Sequence, residues 1–328
     1  MKRTLFGSPM TITRRAFLAS AVAGAAGLAR AANPPKPKYK YIDIHVHLGT
    51  FYWGKELTVE GLLKLMDKHA IEKAVVLPLV SPESAPYLQT TESALAAYKA
   101  HPERIIPFCG LDPRCTTGRP ERFGHVEGLK GLKEILKRYQ DAGCKGLGEH
   151  KVGLPFDHKL MMALYEACAD LELPILFHLD DIRSFDTAGL PRLENALKAF
   201  PKLPFIGHAA GFWASISGDA KDADFGRYPK VPTPVAAGGA LDRLMDKYAN
   251  LYGDLSEPGG YTAIARDPKF GREFLVRRAE RLLFGTDFLM AEQQVPQFEL
   301  LDSMKLPEEV QEKIYRGNAV RLLKLAKK

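Results

Sequence analysis

From residue 41 onward, short apolar runs alternate with segments of helical period. The runs 41–47, 74–79, 105–111, 146–149, 175–178, 205–208, 251–255 and 282–287 are read as eight strands. Most are continuously apolar, as strands covered on both faces are. Between them, Val59, Leu62, Leu63 and Met66 fall at i, i+3, i+4 and i+7. Leu129, Leu132, Leu136 and Tyr139 share one helix face, and so do Leu160, Ala163, Leu164 and Ala167. Eight such units predict an α/β fold, a (β/α)8 TIM barrel over residues 41–328. An open doubly wound sheet usually shows a Gly-rich turn after its first strand; here that strand ends in His45-Val46-His47-Leu48-Gly49. Two connections are long, 49–58 and 211–240. The second is read either as a lid over a site or as a surface excursion or subunit contact, which leaves an oligomer open.

Composition changes this picture little. With 46% hydrophobic and 26% charged residues, the composition is ordinary for a globular protein and excludes a disordered, collagenous, coiled-coil or disulfide-scaffold chain. The formal charge of +7 is mostly local, because residues 1–32 hold Lys2, Arg3, Arg14, Arg15 and Arg30 and no acid. The remainder carries 41 basic against 39 acidic residues, a net of +2, so no nucleic-acid footprint is expected. Residues 1–32 read as an export signal: a charged start, a modest apolar stretch over 17–28, and small residues at Ala29 and Ala31. Arg14-Arg15 followed by Phe17-Leu18 resembles a twin-arginine (Tat) signal. It implies passage through the Tat translocation machinery and a periplasmic or exported protein that folds before crossing. The stretch is short of the roughly 18–20 residues of a membrane span. Residues 33–40 form a Pro/Lys-rich linker. Cys109, Cys115, Cys144 and Cys168 contain no CxxC pair and are read as thiols rather than bridges.

The candidate chemistry sits at strand ends. His45 and His47 are two apart on a strand and share a face, so both imidazoles can reach one metal. Later runs close on His178, on His208, on Asp287, and on Glu149-His150-Lys151. Ligand-type residues directly after apolar runs, at several strands, are what a site at the C-terminal mouth of a barrel requires. Buried singly, each would need its own unrelated polar partner. Asp43 is expected on the same face as the two histidines but a layer deeper, in a structural hydrogen bond. Asp254 and Ser256 are expected to line the pocket, and His150 to point away. Lys151 is read as a contact for a substrate anion. Trp53 and Trp213, with Tyr52 and Phe212, are read as an aromatic substrate wall. His69, His101, His125 and His158 are read as solvated.

The ordered set Asp43-Ile-His-Val-His47, Leu-Phe-His178, Ile-Gly-His208-Ala-Ala-Gly, Phe-Gly-Thr-Asp287 and Gly317-Asn318-Ala-Val-Arg-Leu-Leu resembles the amidohydrolase superfamily, more closely its amidohydrolase-related branch. The resemblance spans about residues 40–326. It implies a metal-dependent barrel with His45, His47, His178 and Asp287 as direct ligands. His208 would be a second-metal ligand or a hydrogen-bond donor to substrate. Glu149 is less usual for that branch and looks like the fourth-strand carboxylate of TatD-type deoxyribonuclease and phosphotriesterase-like barrels. Two roles stay open for it, a bridge between two metals or an acid that orients a histidine.

The implied cofactor is one or two divalent ions, zinc first and manganese as the alternative. Such an ion acidifies water, with Asp287 as general base and the ion or His208 polarising the substrate oxygen. The expectation is a metal-dependent hydrolase that cleaves a C–O or C–N bond (lactone, ester or amide) in a small molecule. The alternatives are a non-hydrolytic decarboxylase of the same superfamily, a TatD-like phosphodiesterase, and a non-catalytic periplasmic binding protein.

Overall fold

The computed structural model describes residues 40–52, 54–116 and 128–326. The leader over 1–32, the linker up to residue 39, Trp53 and His125 lie outside the described residues.

Eight parallel strands follow in chain order: β1 (Tyr41–Val46), β2 (Ile71–Val76), β3 (Ile105–Pro107), β4 (Leu147–His150), β5 (Ile175–His178), β6 (Phe205–His208), β7 (Leu251–Asp254) and β8 (Leu282–Leu283). They form two arcs, β1-β2-β3 and β4-β5-β6-β7-β8. Parallel bridges Cys109↔Leu147 and Val46↔Phe288 join the arcs at both seams, which closes the barrel. Helices α1 (Val59–Lys68), α2 (Thr91–Ala100), α3 (Gly128–Asp141), α4 (Lys159–Asp170) and α5 (Pro191–Ala199) follow the first five strands. After β6 come α6 (Ala209–Ala214) and α7 (Ala240–Lys247), and after β7 come α8 (Glu257–Ala265) and α9 (Pro268–Arg277). The chain ends in α10 (Gln297–Ser303), α11 (Glu308–Glu312), a π-helical turn and α12 (Asn318–Leu322). Among the described residues no helix is long and apolar enough to cross a membrane.

The strand alternation sorts the apolar side chains into two clusters. Ile44, Leu77, Phe108, Leu176, Ile206 and Leu283 fill the barrel interior, floored by Ala319 and Leu323 at the C-terminal helix. Their strand neighbours, such as Leu147, Ile175, Phe177, Phe205 and Leu251, face the helix layer. Asn318 secures the floor by donating to the carbonyls of Ala279 and Leu282, at 2.7 and 2.8 Å.

Several boundaries differ from the apolar runs, for physical reasons. β2 starts at Ile71, before the run, because Glu72 and Lys73 are polar strand residues with partners: Arg316 for Glu72, the Glu103 carbonyl for Lys73. β8 keeps regular pairing only to Leu283, although residues up to Phe288 still bond to β1. The buried stripe of α4 is Met161, Leu164, Tyr165, Ala167 and Cys168; it keeps Leu164 and Ala167 of the expected face, while Leu160 and Ala163 are only half-buried. The stretch read as a long connection from Gly211 begins inside α6, whose residues are all buried.

Candidate metal centre

The site is built where the pleat breaks step. Ile42 and Ile44 point into the barrel, and a register irregularity between Asp43 and Val46 then turns His45 and His47 inward as well. Asp43 is therefore not one layer below the two histidines on a shared face. It accepts from the backbone of His45 (3.1 Å) and from the backbone and hydroxyl of Thr286 (3.0 and 2.5 Å), tying β1 to the end of β8. Burial pushes its carboxyl up to about 7. A similar shift in β4, between Leu147 and His150, aims Glu149 at the mouth and sends His150 outward to Met161.

The tautomers of the first two histidines are dictated by what lies behind them. His47 Nδ1 is 2.9 Å from the Leu77 carbonyl, which can only accept, so Nδ1 carries the proton. His45 Nδ1 is 2.6 Å from Asp254 Oδ2 and donates likewise. Both Nε2 lone pairs then face the mouth, 3.0 Å apart. Asp287 Oδ1 lies 3.4 Å from His45 Nε2 and 3.6 Å from His47 Nε2; Glu149 Oε2 lies 3.3 Å from His47 Nε2. Among the described residues, neither of these buried oxygens has a hydrogen-bond donor. Lys151 Nζ is 2.9 Å from Glu149 Oε2 and forms an ion pair with it. Two lone pairs, the Asp287 oxygen that lacks a donor and the Glu149 oxygen converge in a buried space, and this donor set fits a cation. Burial disfavours charge on His45, yet Asp287 and Asp254 outweigh it and hold its pKa well above the ordinary value. His47, by contrast, is lowered by its burial.

The other oxygen of Glu149 serves a second group. Oε1 lies 2.7 Å from His178 Nδ1 and 3.6 Å from His208 Nε2. His178 Nε2 is engaged by Asp180 at 2.9 Å, which leaves Nδ1 to face the centre. His208 Nδ1 contacts Asp254 Oδ2 (3.2 Å) and Ser256 Oγ (3.1 Å), so Nε2 faces inward. His178 therefore does not join His45, His47 and Asp287 around one point; it joins Glu149 and His208. Among the described residues, three groups could hold an ion: His45, His47 and Glu149; His45, His208 and Asp287; Glu149, His178 and His208.

Gly285 has no room for a side chain. A Cβ on Gly285 would lie 2.5 Å from Asp254 Oδ1 and 2.9 Å from the Ser256 Cβ. Asp287, two residues on, takes the left-handed conformation at φ 53°, which turns its carboxylate inward.

The remaining expected site residues divide. Lys151 is buried beside Glu149, its Nζ 5.7 Å from the Tyr87 ring. Trp213 is not at the mouth: it is buried in the helix-side core, and its Nε1 donates to the Asp254 carbonyl at 2.9 Å. Phe212 is buried with it. Both follow His208 on α6, where a helix rather than a loop carries them inward. Tyr52 is exposed and packs on Phe51 and Tyr87, at 4.7 and 4.9 Å between centroids. His69 is not simply solvated but stacks on Phe298 at 4.4 Å. Asp254 and Ser256 stand behind the histidines rather than lining open space. Asp180, Arg183 and Glu257 were missed. Asp180 carried a signal, since it follows His178 at the same-face spacing of two, whereas Arg183 and Glu257 lie past the strand ends, where no period applies.

A family model described as amidohydrolase matches residues 42–325. No curated protein matches by sequence. Among solved structures, a candidate 2-pyrone-4,6-dicarboxylic acid hydrolase from Pseudomonas putida has 14% identity and a TM-score of 0.61, over 88% of this chain and 99% of that one. A dihydroxybenzoic acid decarboxylase from Polaromonas, with bound manganese and the inhibitor 2-nitroresorcinol, has 18% identity and a TM-score of 0.53, over 88% and 98%. The 5-carboxyvanillate decarboxylase from Sphingomonas paucimobilis has 15% identity and a TM-score of 0.54, over 88% and 99%. These likenesses establish the TIM-barrel fold, and the family match, covering most of the sequence, establishes that the chain belongs to the amidohydrolase family.

Proposed function

We propose that this protein is a metal-dependent hydrolase with a two-cation centre, cleaving a C–O or C–N bond in a small molecule such as a lactone, ester or amide. The observation that carries it is Glu149, whose two oxygens face different imidazole groups: Oε2 toward His45 and His47, Oε1 toward His178 and His208. In this reading His45, His47 and Asp287 would hold one ion and His178 and His208 the other, with Glu149 shared between them. The imidazole and carboxylate donors support zinc, with manganese as the alternative. When bound, a divalent cation supplies Lewis acidity, which acidifies water and polarises a substrate oxygen.

The chain's own residues do the rest. Asp287 offers a buried oxygen without a donor, placed to take a proton from water and return it to the leaving group. Asp254 and Asp180 fix the tautomers of three of the four imidazoles, and the Leu77 carbonyl fixes the fourth. Lys151, and Arg183 whose guanidinium pairs with Asp180 at 2.5 Å, give the mouth a cationic edge for a substrate anion. Metal analysis of the purified chain should return two equivalents, and turnover in 18O-water should place the label in the product. One equivalent or none, or product without label, rejects this reading.

A second reading is decarboxylation, favoured by that cationic edge beside the centre. It predicts carbon dioxide release without label uptake, so one experiment separates the two. The leader motif supports Tat export to the periplasm; Arg14→Lys with Arg15→Lys should keep the protein in the cytoplasmic fraction.

A further inference from the structure

Glu257 belongs to none of the candidate ligand groups, yet the fold spends effort on it. It follows Ser256 and opens α8 with φ 62°, a left-handed conformation that glutamate rarely adopts. Its backbone carbonyl is pinned by Gln297 Nε2 at 2.8 Å. Its two carboxylate oxygens are treated differently. Oε1 accepts a hydrogen bond from the hydroxyl of Tyr228, which arrives from the long connection between α6 and α7. Oε2 is buried and has no donor among the described residues; His208 Nε2, at 3.8 Å, is beyond hydrogen-bond range. A buried acceptor without a donor and a left-handed backbone both cost stability. Together they mark a position built for a partner that the described residues do not supply.

We propose that Glu257 is a specificity-determining residue: its Oε2 accepts a hydrogen bond from a substrate hydroxyl, while Tyr228 holds the other oxygen in place. The proposal rests on the hydrolase reading only for locating the substrate at this mouth. Lys151 follows β4 and Glu257 follows β7, three strands apart around the rim. A cation at one station and an unpaired acceptor at the other select a small molecule with an anionic group and, across it, a hydrogen-bond donor. Such an acceptor discriminates strongly, because a ligand without the donor leaves the carboxylate buried and unpaired.

The test uses the purified full chain loaded with zinc, its metal content measured first. Benzoate and its three monohydroxy isomers are titrated calorimetrically as probes. At least one hydroxy isomer should bind the wild type about tenfold or more tighter than benzoate, as a hydrogen bond to a charged acceptor predicts. In Glu257→Ala that advantage should shrink to about twofold or less, with metal content unchanged. Glu257→Gln keeps a neutral acceptor and should recover part of it, and Tyr228→Phe should lose part of it. The proposal is overturned if no isomer outbinds benzoate, or if the preference survives in Glu257→Ala. It is equally overturned if that variant loses metal, which would make Glu257 a cation ligand. A wild type that holds no metal sinks the hydrolase reading alone; the same preference is then measured on the metal-free chain by the same criteria.

Discussion

Asp254 Oδ2 lies 2.6 Å from His45 Nδ1, and this contact decides which nitrogen of the ring is left for a cation. The same oxygen lies 3.2 Å from His208 Nδ1, so one β7 carboxylate sets the tautomer in both halves of the centre. Asp254→Asn keeps the shape and removes the charge. It should weaken zinc binding by about 10–100-fold in a chelator competition, as loss of a carboxylate behind a ligating histidine does. Unchanged affinity with an intact far-UV spectrum would show that His45 is oriented by something else.

Glu149 faces both imidazole groups, so its loss should not be felt by one ion alone. Glu149→Ala is expected to retain one equivalent of metal or fewer after gel filtration, with activity reduced by about 100-fold or more. Retention of two equivalents would remove the bridge from the centre.

Gly285 leaves no room for a methyl group, because the nearest atom to its Cβ position is a carboxylate oxygen of the residue that orients His45. Gly285→Ala should destabilise the fold by about 1–3 kcal/mol, as overpacking does, and weaken metal binding at the same time. Equal melting temperatures for variant and wild type would mean that Asp254 and Ser256 yield without strain.

Away from the mouth, Glu194 on α5 gathers Lys247 Nζ (2.6 Å), Tyr248 Oη (3.0 Å) and Arg243 Nη1 (3.1 Å). The Lys247 ammonium first, then Arg243 and Tyr248, hold its carboxyl down from 4.5 to about 2. Because the folded value lies below the unfolded one, the stabilisation is complete above about pH 4.5 and is lost as pH falls toward about 2. Glu194→Gln should cost about 1 kcal/mol or less at pH 7, and urea melts of variant and wild type should converge as pH falls through that window. A gap that stays constant down to pH 3 would show that charge is not its source.

The barrel and most of its candidate ligands were legible because ligand-type residues directly follow apolar runs: Ile-Leu-Phe before His178, Phe-Ile-Gly before His208. What the sequence hid depends on local breaks in period. Asp43 looked like a neighbour of His45 and His47 because a strict alternation puts all three on one face; the irregularity in β1 separates them. Trp213 looked like part of a loop wall because nothing in Ala209–Ala214 announces a helix starting directly at the strand end. Glu257 reaches the mouth through a left-handed backbone that a glutamate gives no reason to expect. The pairing at the rim was hidden too, since chain order records which side chains reach it but not which oxygen of Glu149 meets which ring.

His45 and His47 stand on the three-strand arc, while Glu149, His178, His208 and Asp287 all stand on the five-strand arc or its continuation. A cation in this centre would act as a rivet across the joints of the wall. Its removal by a chelator should speed hydrogen–deuterium exchange at the joint amides of His47, Cys109 and Gly148, which bond from one arc to the other. The amides of Phe177 and Ile206, deep within the larger arc, should keep their protection.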